Sequence, residues 1–193
     1  MWPFKRQQSR LSTPTVPLNL IPVTFHELLS RYGVIPGSQF VLTEEEQSAV
    51  DTAWSEFVAA ATKDGPPGQR FYVPPEVHSA MQESIASSAL HSLAVELIGA
   101  STPSSIRVPD PTARQRACSA AAKSLVFNTT PLSFYNVGTI FEWAEEKALA
   151  GCLYREFLHR REKNAGRVTR EQLQAEQAAV QRATEFLRDS GAV

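Results

Sequence analysis

Glu156 and His159 stand one helical turn apart in the run Glu156-Phe157-Leu158-His159. Glu-x-x-His is the spacing by which carboxylate-bridged sites in helical bundles offer a carboxylate and an imidazole to one metal ion. Glu145 and Cys152 fall near the same line when successive residues are turned by about 100°. Such a site needs ligands from a facing helix, usually a second Glu-x-x-His, and the chain has no second copy of the motif. Glu83, Glu96, His78 and His91 share another predicted helix but lack the spacing. The simpler reading is a solvated edge on which Glu156 and Arg160 form an i,i+4 pair worth about 0.3–0.5 kcal/mol. Glu156 and His159 are therefore the candidate metal ligands, while no metal or other cofactor is expected.

Nucleophilic chemistry has equally little to stand on. A reactive cysteine needs an electropositive and accessible setting. Cys118, with Arg114, Arg116 and Lys123 nearby in sequence, comes nearest, but it lies in an alanine-rich segment where a thiol acts as a small hydrophobe. His26, His78 and His91 are scattered, and order alone assembles no Ser-His-acid set. No Walker A motif, no Gly-x-Gly-x-x-Gly after a strand and no Cys-x-x-Cys occurs. The Gly65-Pro66-Pro67-Gly68 loop has prolines where a phosphate cradle needs free N–H groups. Nucleic-acid binding is not expected either. Arg114 and Lys123 lie on opposite sides of a helical wheel, and the 193-residue chain carries a formal net charge of −1.

The elements that must position these residues are helical. Thr24 caps a short helix from Phe25 to Tyr32, closed by Gly33. Thr43 with Glu46 forms a capping box, and Val50, Trp54, Phe57, Val58 and Ala61 make the apolar stripe of the helix that follows. A helix is predicted over 75–98, with Pro75 in its first turn and Gly99 at its end, burying Val77, Met81, Ile85, Leu90, Leu93, Leu97 and Ile98. Asp110-Pro111 opens an alanine-rich helix to about Phe127, whose small residues suit close packing on the 139–163 helix. Thr130-Pro131 begins a short segment that Gly138 separates from a long helix over 139–163. That helix is apolar on most of its circumference, the mark of a central element. Thr169 with Gln172 caps a last helix carrying Leu173, Val180, Ala183 and Leu187.

The first 23 residues differ in kind. Pro3, Pro14, Pro17 and Pro22 keep them out of an interior helix and favour extended geometry. Val16, Leu18, Leu20 and Ile21 need a surface to lie on, and Trp2 and Phe4 beside Lys5 and Arg6 suit an interface. Charge is uneven along the chain. Residues 1–42 carry Lys5, Arg6, Arg10 and Arg31 against Glu27. Residues 43–64 carry Glu44, Glu45, Glu46, Asp51, Glu56 and Asp64 against Lys63. Residues 99–138 are again basic, so the acidic helix is expected to meet basic segments of its own chain or a partner.

The expected fold is an all-α bundle of about five to seven helices with an extended Pro-rich arm: 1–42 an arm with one short helix, 43–193 a helical domain. No apolar run nears the ~18 residues that span a bilayer, and no signal-peptide core follows Lys5 and Arg6, so a cytoplasmic protein is expected. The expected function is a non-catalytic assembly or adaptor component. It would bind protein subunits, its own copies or others, through Trp2, Phe4, Val16, Leu18, Leu20, Ile21 and a helical surface. The alternatives are a helical-bundle metal-dependent enzyme using Glu and His ligands, and a peripheral membrane protein held by residues 1–10.

Overall fold

Short polar signals start the first helices where the sequence places them. The structure, a computed structural model, describes residues 24–34, 40–63, 74–99, 111–164, 169, 174 and 176–190. Helix α1 (Phe25–Arg31) begins at a complete capping box: Glu27 N–H donates to Thr24 Oγ1 at 3.2 Å and Thr24 N–H to Glu27 Oε2 at 2.8 Å. Those hydrogen bonds hold the exposed Glu27 carboxyl below its ordinary pKa. Helix α2 (Glu44–Lys63) starts the same way, with Thr43 N–H donating to Glu46 Oε2 at 2.8 Å and Glu46 N–H to Thr43 Oγ1 at 3.3 Å. Helix α3 (Pro75–Ile98) has Pro75 at its start and ends at Gly99, whose φ of 68° is the left-handed cap that glycine adopts without steric cost. Helix α4 (Pro111–Phe127) follows.

The 139–163 expectation is corrected. Two helices occupy this region, α5 (Pro131–Trp143) and α6 (Lys147–Asn164), joined by a tight turn. Thr139 does not cap a helix; it lies inside α5, where its hydroxyl donates to Tyr135 O at 3.1 Å. The turn is a Schellman motif: Glu146 N–H donates to Phe141 O at 2.9 Å and Glu145 N–H to Glu142 O at 3.0 Å. Its left-handed position is filled by Glu145, φ 64°, where glycine is usual. Gly138 separates nothing either. It sits within α5 against Tyr154 of α6, and an added Cβ would lie 2.8 Å from the Tyr154 ring. Glycine here lets the two helices meet closely. The last helix, α7, spans Gln177–Asp189; Gln172 and Leu173, expected in its cap and first turn, lie outside the described residues.

The described residues thus form an all-α bundle of seven helices, with no strand among them. The most extensive packing joins α3 to α4 and α5 to α6; α2 rests on α3, and α7 and α1 rest on α6. The alanine-rich α4 therefore makes its closest fit with α3 rather than with the 139–163 region. Ala117, Ala120, Ala121 and Ala122 are fully buried, small enough to bring the two backbones together. The core runs from Leu28 of α1 through Ile98, Leu125, Phe134 and Phe141 to Leu149, Leu153, Tyr154 and Phe157 of α6, then to Ala183 of α7. The central role expected of the 139–163 apolar stretch falls to α6, where Leu149 to Tyr154 and Phe157 are all buried.

Candidate functional site

The candidate metal ligands do not converge. Glu156 accepts from Arg160 Nε at 2.6 Å, and the Arg160 guanidinium lies 4.4 Å from the centroid of the Phe134 ring. His159 is exposed. Glu145 is in the α5–α6 turn, paired with Arg114 at 3.0 Å, and Cys152 is buried. His78 sits against Trp54, and His91 faces a separate cleft. Among the described residues no three His, Cys, Asp or Glu side chains are close enough to hold a metal ion.

The buried thiols are chemically quiet. Burial pushes Cys118 up to about 12, opposed by a hydrogen bond with Tyr32, and Cys152 up to about 11, opposed by the nearby Arg155 charge. Both therefore stay protonated near neutrality, contrary to what a nucleophile needs. The cleft beside His91 has a volume of about 230 Å³ and is lined by Ser84, Ser88, Ser133, Asn128 and Asn136. Burial lowers the His91 pKa, which favours the neutral imidazole. None of the described residues lining the cleft is acidic.

Two ionic networks fix the helices instead. Glu46 caps α2 and also takes the Lys123 Nζ of α4 at 2.5 Å, both side chains almost fully buried. Its neighbour Glu45 is gripped by Arg116 of α4, whose Nε lies 3.1 Å from Glu45 Oε2. The acidic start of α2 is thus answered by one of the two basic segments of its own chain. On the other side of the bundle, Glu142 of α5 accepts from the Tyr154 hydroxyl at 2.7 Å and from Arg182 of α7 at 2.8 Å, tying three helices. Burial, and then the Glu142 carboxylate, raise the Tyr154 pKa.

The surface that stays unsatisfied is the far end of α2 and the start of α3. Sequence periodicity predicts one buried stripe along α2. The first half obeys: Val50 and Trp54 are half-buried, and Trp54 meets His78 edge-on at 5.1 Å. Beyond it Phe57 is 36% exposed, Val58 42% and Val77 of α3 48%. Phe57 stacks on Trp54 at 5.8 Å. Val77 and Met81, expected inside, are exposed and half-buried respectively. Between α2 and α3 runs a groove of about 650 Å³, with apolar walls from Ala49, Ala53, Ile85 and Leu93 and with Glu56 and Glu96 at its edges. The acid excess of α2 was visible in the sequence, but the α3 residues across the groove were not.

The expected arm contacts Trp2, Phe4, Val16, Leu18, Leu20 and Ile21 lie outside the described residues. No described helix is long and apolar enough to cross a membrane. Comparison with protein-family models, with curated proteins and with solved structures finds no match to this chain.

Proposed function

We propose that the protein is a non-catalytic assembly component that binds protein subunits through its N-terminal arm and the α2–α3 surface. The observation that carries the reading is the apolar end of α2 and the start of α3, where Phe57, Val58 and Val77 are exposed and Phe57 stacks on Trp54. Apolar contact area is the main favourable term in protein association, at about 25 cal/mol per Å² removed from water. A stripe with helical spacing that outruns its own domain is suited to a second helix or an apolar segment. The arm is the other half of the reading: its sequence sets Val16, Leu18, Leu20 and Ile21 among Pro14, Pro17 and Pro22, a composition suited to lying on a partner surface.

The test is light scattering on the full chain, on Phe57→Lys/Val77→Lys, and on a chain lacking residues 1–23. The expected result is a mass well above the 21.3 kDa of one chain, reduced toward that value by either change. Both replaced side chains are exposed, so their effect on folding is small and circular dichroism checks it.

A further inference from the structure

Arg116 and Lys123 of α4 answer two of the five acids that α2 carries, Glu45 and Glu46. Glu44, Asp51 and Glu56 remain along the helix, and Glu56 stands with Glu96 of α3 at the edges of the α2–α3 groove. The only charged side chains lining that groove among the described residues are Glu45, Glu56 and Glu96, all acidic. Ala49, Ala53, Ile85, Ala89 and Leu93 give it apolar wall, interleaved with the hydroxyls of Ser48, Thr52, Ser88 and Ser92. It therefore suits a segment that is cationic and apolar and has little bulk to fold back on itself. Residues 1–23 have that chemistry: Lys5, Arg6 and Arg10 with no acid, then Val16, Leu18, Leu20, Ile21 and Val23.

We propose that residues 1–23 of a second copy of the chain occupy the α2–α3 groove. Their cations would face Glu56 and Glu96, and their apolar side chains would lie on Ile85 and Leu93. The inference rests on the assembly reading above and names its partner. One observation favours exchange between copies. The segment joins the bundle at α1, and α1 packs on α6 and α4, with Phe25 against Phe134 and Tyr32 against Phe141 of α5. The root of the segment thus belongs to the α4–α5–α6 side, whereas the groove belongs to α2 and α3. A donor segment rooted on one set of helices and an acceptor groove on another is an arrangement from which reciprocal pairs or rings can be built. Length does not limit the exchange: 23 residues reach roughly 75 Å when extended, against a radius of gyration of about 16 Å expected for a domain of this size.

The experiment places a photo-reactive phenylalanine analogue at Leu18 in the full chain and mixes ¹⁵N-labelled with unlabelled protein. Cross-linked peptides are then read by mass spectrometry. The expected result is mixed-isotope cross-links from residue 18 to the 45–56 and 85–96 stretches. Glu56→Lys/Glu96→Lys should lower their yield about tenfold, because cations would then meet cations. High salt should lower it in the unsubstituted chain too, since at 1 M the Debye length is about 3 Å. Cross-links to the groove of a single isotope only would overturn the second copy as occupant. Mixed cross-links to another face would overturn the groove, yet leave assembly standing. A single-chain mass together with no mixed cross-link would remove both.

Discussion

Single residues set the chemistry of the buried thiols and of the α5–α6 turn. Cys118 and Cys152 are 1% and 5% exposed, and burial raises both thiols, to about 12 and about 11. A raised folded-state value means the neutral thiols favour folding below the unfolded value of about 8.5, and that this contribution fades as pH climbs above it. At pH 8 an aromatic disulfide reagent should accordingly label neither thiol faster than the chain opens, and should label both at once in denaturant. Prompt labelling of Cys118 in the folded protein would contradict its inert placement. Glu145 poses a different question. It pairs with Arg114 but holds a left-handed backbone that costs an L-residue about 1 kcal/mol or more. Glu145→Ala and Glu145→Gly both lose the ion pair, and only the second relieves the backbone. The glycine variant should be about 1 kcal/mol more stable than the alanine variant in urea titrations; equal stability would mean the turn is unstrained.

At the scale of the helix, what could be read in advance depended on whether the signal was local. Thr24 with Glu27, Thr43 with Glu46, and Pro75 with Gly99 are short-range signatures, and α1, α2 and α3 begin or end where they predict. The α5–α6 turn escaped because its usual marker is absent: a glutamate fills the glycine position, and the nearest glycine, Gly138, serves packing on Tyr154 seven residues earlier than the turn itself. The pairing of Glu46 with Lys123 escaped because nothing local links them. The capping box identifies Glu46 as polar surface, yet the fold buries it against α4. That pair is a stability determinant with a clear test. Lys123→Met leaves a buried carboxylate uncompensated and should cost about 3 kcal/mol or more. Glu46→Gln added to it removes the stranded charge and keeps an oxygen for the Thr43 N–H, so the double variant should recover at least about 1 kcal/mol. Additive losses would show that the two groups do not act as a pair.

Over the whole molecule, the class of fold was plain from helical periodicity, whereas the candidate surface became visible only by comparing each stripe with what covers it. The stripe Val50, Trp54, Phe57, Val58 and Ala61 promises a buried helix. The fold half-covers its first half and leaves Phe57, Val58 and Ala61 exposed: among the described residues α2 packs mainly on α3, and its ion pairs with α4 come from Glu45 and Glu46 at its start. Val77 at the start of α3 shares this fate. A sequence pattern records that a face is apolar, and it cannot record whether the partner is inside the chain or outside it. The Glu-x-x-His spacing misleads for a related reason: two ligands on one turn are legible, but the facing helix that would complete them is a property of the fold, and here Glu156 is engaged by Arg160 instead.

The native mass of the full chain in solution is the most direct test of the assembly account. Light scattering across a concentration series should give a multiple of 21.3 kDa that Phe57→Lys/Val77→Lys shifts toward a single chain while the helical circular dichroism is unchanged. A mass of 21.3 kDa at every concentration, identical for the wild type and the substituted chain, would contradict it.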